Sequence, residues 1–398
     1  MTTVASPLDI VRQARWLDRD RVTGYAKILA IAYVPLLVIP YRYAIGAEAG
    51  GRPSVDFMSF WSAAVLAWHD PASAYDAATQ IAFQAQHFAS DGRYLPFLYP
   101  PPFLALVAPL GLLPFALAYP LFVAVTYGVY VAFARRLLPG ATWPIAVFPA
   151  LYVNAVQGQT AALFTGLFAG ASMLVERRPW LAGALYGCLI FKPQLGLLIP
   201  VALIAAGQWR AVLGAAISAT ALLAAALLLF GPQTYAAFLT NSATSAGLLH
   251  GVLDWAKVQS VFGAVRQVGG PFWLAAGMQA AMALLAAVVV ARVWRSPADV
   301  LTRAAALATG ALLATPYVLD YDFVLLIVPV CWLARGGLQG GFGPWDRAIL
   351  VLAFLGPVAC RYLAIAAGFN LAPLALAGFG WLLAGRMLRS VEAPSATA

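Results

Sequence analysis

A few residues in this 398-residue chain stand where their chemistry is costly and unneeded for packing. Asp56 heads the aromatic run Val55-Asp56-Phe57-Met58-Ser59-Phe60-Trp61, so it is either a helix N-cap or a catalytic carboxylate. Lys192 stands between Phe191 and Pro193 with apolar sequence on both sides. It either snorkels to an interface or holds an anion, and the proline, by breaking the helix, would free backbone amides beside the ammonium for phosphate. Asn154, Gln157 and Gln159 interrupt another apolar stretch, as interhelical hydrogen bonders or as the lining of a sugar site. Gly158 beside them allows close backbone approach. Tyr99-Pro100-Pro101-Pro102 can start a helix and still turn Tyr99 towards a cavity. Asp320-Tyr321-Asp322, close after Pro316-Tyr317, is a D-x-D pair that reads as a cap with a solvated acid or as a divalent-metal pair.

The elements that must position these residues are membrane helices. Hydrophobic residues make up 63% of the chain, charged residues 10%, and the mean hydropathy is +0.83, outside the soluble range. Runs such as 211–230 are continuously apolar, without the alternation of a membrane β-strand. The net charge of +9 is scattered over the ends of apolar spans and forms no tract, which excludes nucleic acid as a partner. Cys188, Cys331 and Cys360 lie within apolar stretches and read as small core residues, with no disulfide or metal framework.

The resulting expectation is an all-α polytopic membrane protein with about twelve (11–13) transmembrane helices, since ~20 apolar residues span a bilayer. Residues 1–24 read as a cytoplasmic segment without a cleavable signal, and the first span, 25–45, as its own anchor. A single transmembrane domain covers 25–389, with a cytoplasmic tail at 390–398. Within it, 46–96 forms a large outer loop of interfacial helices and 231–270 a second outer loop. Further spans are expected near 98–114, 115–134, 160–175, 180–191, 195–206, 211–230, 271–293, 302–315, 323–334, 348–367 and 371–387, with 142–158 re-entrant. This arrangement puts most arginine-bearing turns inside, with Arg135 and Arg136 as the exception. The polar interruptions then share the outer side, and a set of buried polar groups on one face implies a hydrated cavity.

In order and spacing these motifs resemble glycosyltransferase family 87, the polyprenyl-phosphate-mannose-dependent mannosyltransferases of the C-type superfamily. The resemblance rests on Asp56 with its aromatic run, Asp70-Pro71 to Tyr75, Tyr99-Pro100-Pro101, Gly158-Gln159 and Lys192-Pro193-Gln194, and covers roughly half the chain. It implies an inverting transfer of a hexose, mannose in the family, from a polyprenyl-phosphate donor to a glycolipid or glycan acceptor, on the periplasmic or extracellular side of the cell membrane. Asp56 matches the general base. Where the family carries a histidine near a late outer-side span, this chain reads Tyr317-Val318-Leu319-Asp320-Tyr321-Asp322. A lipid-linked donor further needs an apolar groove, a cation for its phosphate and aromatic surfaces for sugar rings. Lys192, with Arg93 or Arg266, is the candidate cation. Trp61, Tyr99, Asn154, Gln159, Gln194, Trp255, Tyr317 and Asp320 are the candidate lining. No cofactor and no resident metal are expected, and no Gly-rich nucleotide loop is present.

A secondary transporter would also have about twelve partly broken helices, but it predicts internal symmetry, and the two halves show no matching motifs. A lipid-linked glycan ligase or flippase partner would share the cavity and need no base at position 56.

Overall fold

The computed structural model describes residues 6–45, 55–88, 94–248 and 254–392, and these fold entirely from helices and turns. In an apolar solvent each backbone N–H and C=O must be satisfied within its own segment, which favours helices. Among the described residues six helices are long and apolar enough to cross a membrane: Arg19–Arg42, Phe115–Ala134, Trp209–Thr244, Phe272–Arg295, Asp320–Gly340 and Asp346–Ala367. Their outer surfaces present bare apolar side chains, as at Leu228, 87% exposed, and Leu352, 71% exposed, which only lipid would solvate well. Shorter apolar helices, including Ala161–Leu174, Pro179–Phe191, Pro193–Ala205 and Val300–Ala314, pack inside this shell. Phe164, Phe168 and Leu307 among them are completely buried. Cys331 and Cys360 are buried core residues, Cys188 is half-buried, and all three are free thiols.

Three segments differ from the sequence expectation. Residues 98–114, expected as a span, form Pro101–Val107 and a 3-10 turn Ala108–Leu112 that double back on themselves. Tyr99 and Phe103 meet the Phe60 ring at 5.0 and 5.1 Å, the Ala108 carbonyl accepts from the Trp68 indole at 2.7 Å, and the Leu113 carbonyl accepts from the Trp61 indole at 2.9 Å. The chain therefore leaves from beside Phe60, reaches Trp68 and returns to Trp61. A prolyl residue at 109, unable to donate to the helix ladder, opens the turn.

Residues 142–158, expected as re-entrant, instead run the length of helix Phe115–Ala134. Tyr127 and Tyr130 at the far end of that helix donate to the Ala146 and Ile145 carbonyls at 3.0 and 2.9 Å. Tyr119 at its near end donates to the Ala155 and Val156 carbonyls, both at 2.8 Å. Helices Thr142–Ala146 and Pro149–Gln157 thus lie antiparallel to Phe115–Ala134.

The polar stretch 231–270 also begins as helix. Helix Trp209–Leu248 breaks at Gly231, whose φ of 77° and ψ of 169° are open to glycine, then resumes after Pro232. The resumed part is tied down by Asn241, which donates to the Phe97 carbonyl at 3.0 Å.

Polar contacts collect in two layers at opposite ends of the helices. One layer holds Arg303 with Glu176 at 2.9 Å, Arg335 with Asp299 at 2.6 Å, Arg386 with Asp346 at 2.5 Å, and Arg347 donating to the Gln13 carbonyl at 3.0 Å. The other layer contains Asp56, Gln159, Lys192, Asp320 and Asp322.

Candidate active site

Asp56 precedes helix Phe57–Leu66 with helical backbone angles, φ −60° and ψ −22°, and its side chain makes no capping bond. Asp70 and Asp76, in the same polar stretch, show what capping looks like here. They accept from Ala72 N at 3.1 Å and Thr79 N at 2.7 Å. The Asp56 carboxylate points instead across the fold, accepting from Gln159 Nε2 at 2.7 Å and lying 3.3 Å from Lys257 Nζ. Of the two readings of Asp56, the cap is therefore not the one its side chain adopts.

Gln159 is aimed by a local backbone device. Helix Pro149–Gln157 ends at Gly158 in the left-handed region, φ 63°. A Cβ there would lie 2.5 Å from Phe57 Cβ and 2.9 Å from the Tyr119 ring, so glycine lets the start of helix Phe57–Leu66 press against this turn. Gln159, 5% exposed, then bridges two groups: its amide donates to Asp56, and its Oε1 accepts from Tyr99 Oη at 3.0 Å. Tyr99 Oη also meets Thr160 Oγ1 at 2.9 Å. The Asp70-Pro71 to Tyr75 motif holds this corner, because Pro71–Tyr75 is a 3-10 turn whose Tyr75 hydroxyl donates to the Tyr99 carbonyl at 3.0 Å.

Lys192 lies at the break between the turn Cys188–Phe191 and helix Pro193–Gly196. It is 4% exposed, and its ammonium is paired with Asp322, itself 1% exposed. Asp322 also accepts from Leu319 N at 3.0 Å, and Asp320 accepts from Tyr321 N at 2.9 Å. Between these acids the Tyr321 ring faces two cations, Lys192 Nζ at 4.9 Å and Lys257 Nζ at 5.6 Å from its centroid. Lys257 is brought there by an isolated antiparallel bridge between Val258 and Leu319, with Gln259 N donating to the Val318 carbonyl at 2.7 Å and Ser260 Oγ to the Pro316 carbonyl at 2.6 Å.

Tyr317 stands at the edge of this network. Burial first, then the nearby carboxylates of Asp56 and Asp322, push its hydroxyl up to about 12, so it remains a proton-bearing donor at neutral pH. It also lines a mostly apolar cavity of about 340 Å³, bounded by Trp255, Val258, Phe262, Phe272, Ala283 and others.

Other candidates lie apart from the network. Trp61 packs among Phe83, His87, Phe88 and Phe115 and donates to Leu113. Asn154 accepts from Ala161 N at 2.8 Å and so caps helix Ala161–Leu174. Arg266 stacks over Trp255 at 5.3 Å and donates to the Gly270 carbonyl at 2.9 Å. Gln194 is half-buried in the short helix Pro193–Gly196 after Lys192. Arg93 lies outside the described residues. Sequence reasoning missed Lys257 and the partnership of Asp322 with Lys192. Lys257 lies in a polar stretch, where a lysine carries no burial cost to mark it.

The assembled group offers a partly accessible carboxylate, two ammonium groups, a neutral phenol and an apolar cavity opening beside them. That set suits proton removal from a hydroxyl next to an anionic, lipid-borne leaving group. A family model described as glycosyltransferase family 87 matches residues 97–316, more than half of the chain. The matched stretch holds Tyr99, Gln159, Lys192 and Lys257, whereas Asp56, Asp320 and Asp322 lie beyond its limits. No curated protein and no solved structure matches the chain.

Proposed function

The chain belongs to glycosyltransferase family 87, a membrane glycosyltransferase, and we propose that it transfers a hexose, mannose first among those to test, from a polyprenyl-phosphate donor to a glycolipid or glycan acceptor. The observation that carries this reading is the Asp56 carboxylate, released from capping and held at 2.7 Å by Gln159 in a polar layer that opens on an apolar cavity. Asp56 takes the proton of the acceptor hydroxyl. The acceptor oxygen bonds to the anomeric carbon from the face opposite the lipid phosphate, the carbon–oxygen bond to that phosphate breaks, and the phosphate departs with the electron pair. The anomeric configuration inverts. Lys192 and Lys257, both facing Tyr321, supply positive charge for the leaving phosphate. The cavity at Tyr317 and Trp255 suits the first isoprene units of the donor, and Tyr99, Gln159, Tyr317 and Asp320 border the sugar.

The path of the chain supports twelve crossings: the helices from Arg19, Phe115, Thr142, Ala161, Pro179, Pro193, Trp209, Phe272, Val300, Asp320, Asp346 and Ala372. With 101–112 doubling back and 142–157 crossing, Arg135 and Arg136 join the arginine-rich layer with Arg177, Arg210, Arg303 and Arg335, and this bias, against Lys257, Arg266 and Arg361 at the other end, supports that layer as the cytoplasmic one. Both termini are then cytoplasmic and the Asp56 layer faces the outside of the cell membrane.

The test is reconstitution of the purified protein in liposomes with polyprenyl-phosphate hexoses and, separately, nucleotide sugars. Transfer from the lipid-linked sugars alone is expected. Transfer from nucleotide sugars only, or sugar uptake without transfer, would overturn the reading.

A further inference from the structure

Asp56 is held by a cation that the proposed reaction needs elsewhere. Lys257 Nζ lies 3.3 and 3.4 Å from the two oxygens of Asp56, so in this state the ammonium covers the lone pairs that an acceptor hydroxyl would use. The neighbourhood contains three carboxylates, Asp56, Asp320 and Asp322, against two ammonium groups, Lys192 and Lys257, while the guanidinium of Arg361, also near Asp320, is bound to Asp254 at 3.1 Å. An arriving phosphate therefore finds both ammonium groups already matched by acids, and one of them must change partner.

The two pairs are built differently. Lys192 and Asp322 have side chains 5% and 1% exposed, and Asp322 is further fixed by the Leu319 N–H. Lys257 and Asp56 are 22% and 15% exposed, with contacts at the long end of hydrogen bonding. The backbone at Lys257 is nevertheless pinned: the next residue, Val258, bridges to Leu319 and its carbonyl accepts from Asn370 at 2.8 Å. A flexible four-carbon stem on a fixed turn, with its ammonium beside the Tyr321 ring, can swing between two anions without moving the fold.

We propose that Lys257 is a ligand of the donor's lipid-linked phosphate and that, until that anion arrives, its ammonium occupies Asp56, so the base is uncovered only when the donor site is loaded. This rests on the polyprenyl-phosphate reading above. Its consequence is coupling of donor binding to base release, which keeps the acceptor hydroxyl from Asp56 when no leaving group is in place. Asp56 remains oriented throughout by Gln159, whose bond does not involve Lys257.

The experiment uses the full-length protein in lipid nanodiscs, with a polyprenyl monophosphate and the matching polyprenol as probes. Wild type should bind the monophosphate more tightly than the polyprenol. Lys257→Met should weaken monophosphate binding by about tenfold, the scale of one charge contact in partly aqueous surroundings, leave polyprenol binding unchanged, and raise the donor KM more than the acceptor KM. Lys257→Arg should restore most of the affinity. In infrared difference spectra, the monophosphate should produce a carboxylate band change that vanishes in both Asp56→Asn and Lys257→Met. Monophosphate binding unchanged in a folded Lys257→Met protein, or no Asp56-dependent band in wild type, overturns the proposal and leaves the transferase reading intact. Equal wild-type affinity for monophosphate and polyprenol overturns both.

Discussion

At Lys192 the ion pair with Asp322 sits in surroundings where a single unpaired charge is expensive. Removing one partner of a buried pair typically costs about 3–5 kcal/mol, whereas replacing both with apolar residues of similar volume is often neutral. Lys192→Ala is therefore expected to lower the thermal stability of the detergent-solubilised protein sharply, and Lys192→Met with Asp322→Leu to regain most of it while transfer stays low. Recovery of transfer in the double variant would assign the pair a purely structural role. Trp61→Phe makes the opposite case. It removes the indole donor to Leu113, a loss of about 1 kcal/mol, and should leave both KM values unchanged, because the ring packs among Phe83, His87, Phe88 and Phe115. Asp56, Tyr99, Gln159 and Lys192 were legible in the sequence because each places polarity where apolar residues surround it, and such a placement needs a partner. Asp322 as the partner of Lys192 was not, since a pairing across 130 positions leaves no local trace. Lys257 was hidden for the reverse reason: in a polar stretch a lysine costs nothing and so signals nothing.

At the scale of elements, the turn at Gly158 carries the geometry of Asp56. Gly158→Ala would force a side chain into the left-handed region and into Phe57, and should cost about 1–3 kcal/mol and shift Gln159 off the carboxylate. Thermal unfolding and the transfer assay should both register it. A stable variant with normal transfer would show that the turn is not needed. The re-entrant pair 101–112 and the crossing 142–157 give a second test. In a variant lacking the native cysteines, single cysteines at Ala78 and Val268 are expected to react with an impermeant reagent from outside intact cells, and one at Pro139 only after permeabilisation. Labelling of Pro139 from outside would restore a crossing at 98–114. Composition alone could not separate these cases, because both segments are apolar and of near-spanning length, and only the bonds of Trp61, Trp68, Tyr119 and Tyr130 to distant carbonyls tell a hairpin from a crossing. The long helix from Trp209 was legible to Gly231. Past it, the rising polarity read as loop, while packing keeps the chain helical to Leu248.

For the whole molecule, the all-helical membrane architecture followed from composition, and the convergence of distant polar interruptions into one layer followed from the cost of burying each alone. The helices bring Asp56, Gln159, Lys192, Lys257 and Asp322 together from positions spread over most of the chain, with an apolar cavity beside them. In the proposed reaction this layer performs glycosyl transfer with Asp56 as the base. Asp56→Asn tests it most directly, since asparagine can still accept from Gln159 but cannot take up the acceptor's proton. In one liposome assay, the variant should insert, fold and bind polyprenyl monophosphate while its transfer rate falls by roughly 10²-fold to 10⁴-fold, the usual contribution of a positioned base. Transfer at close to the wild-type rate by a folded Asp56→Asn protein would show that Asp56 is not the base.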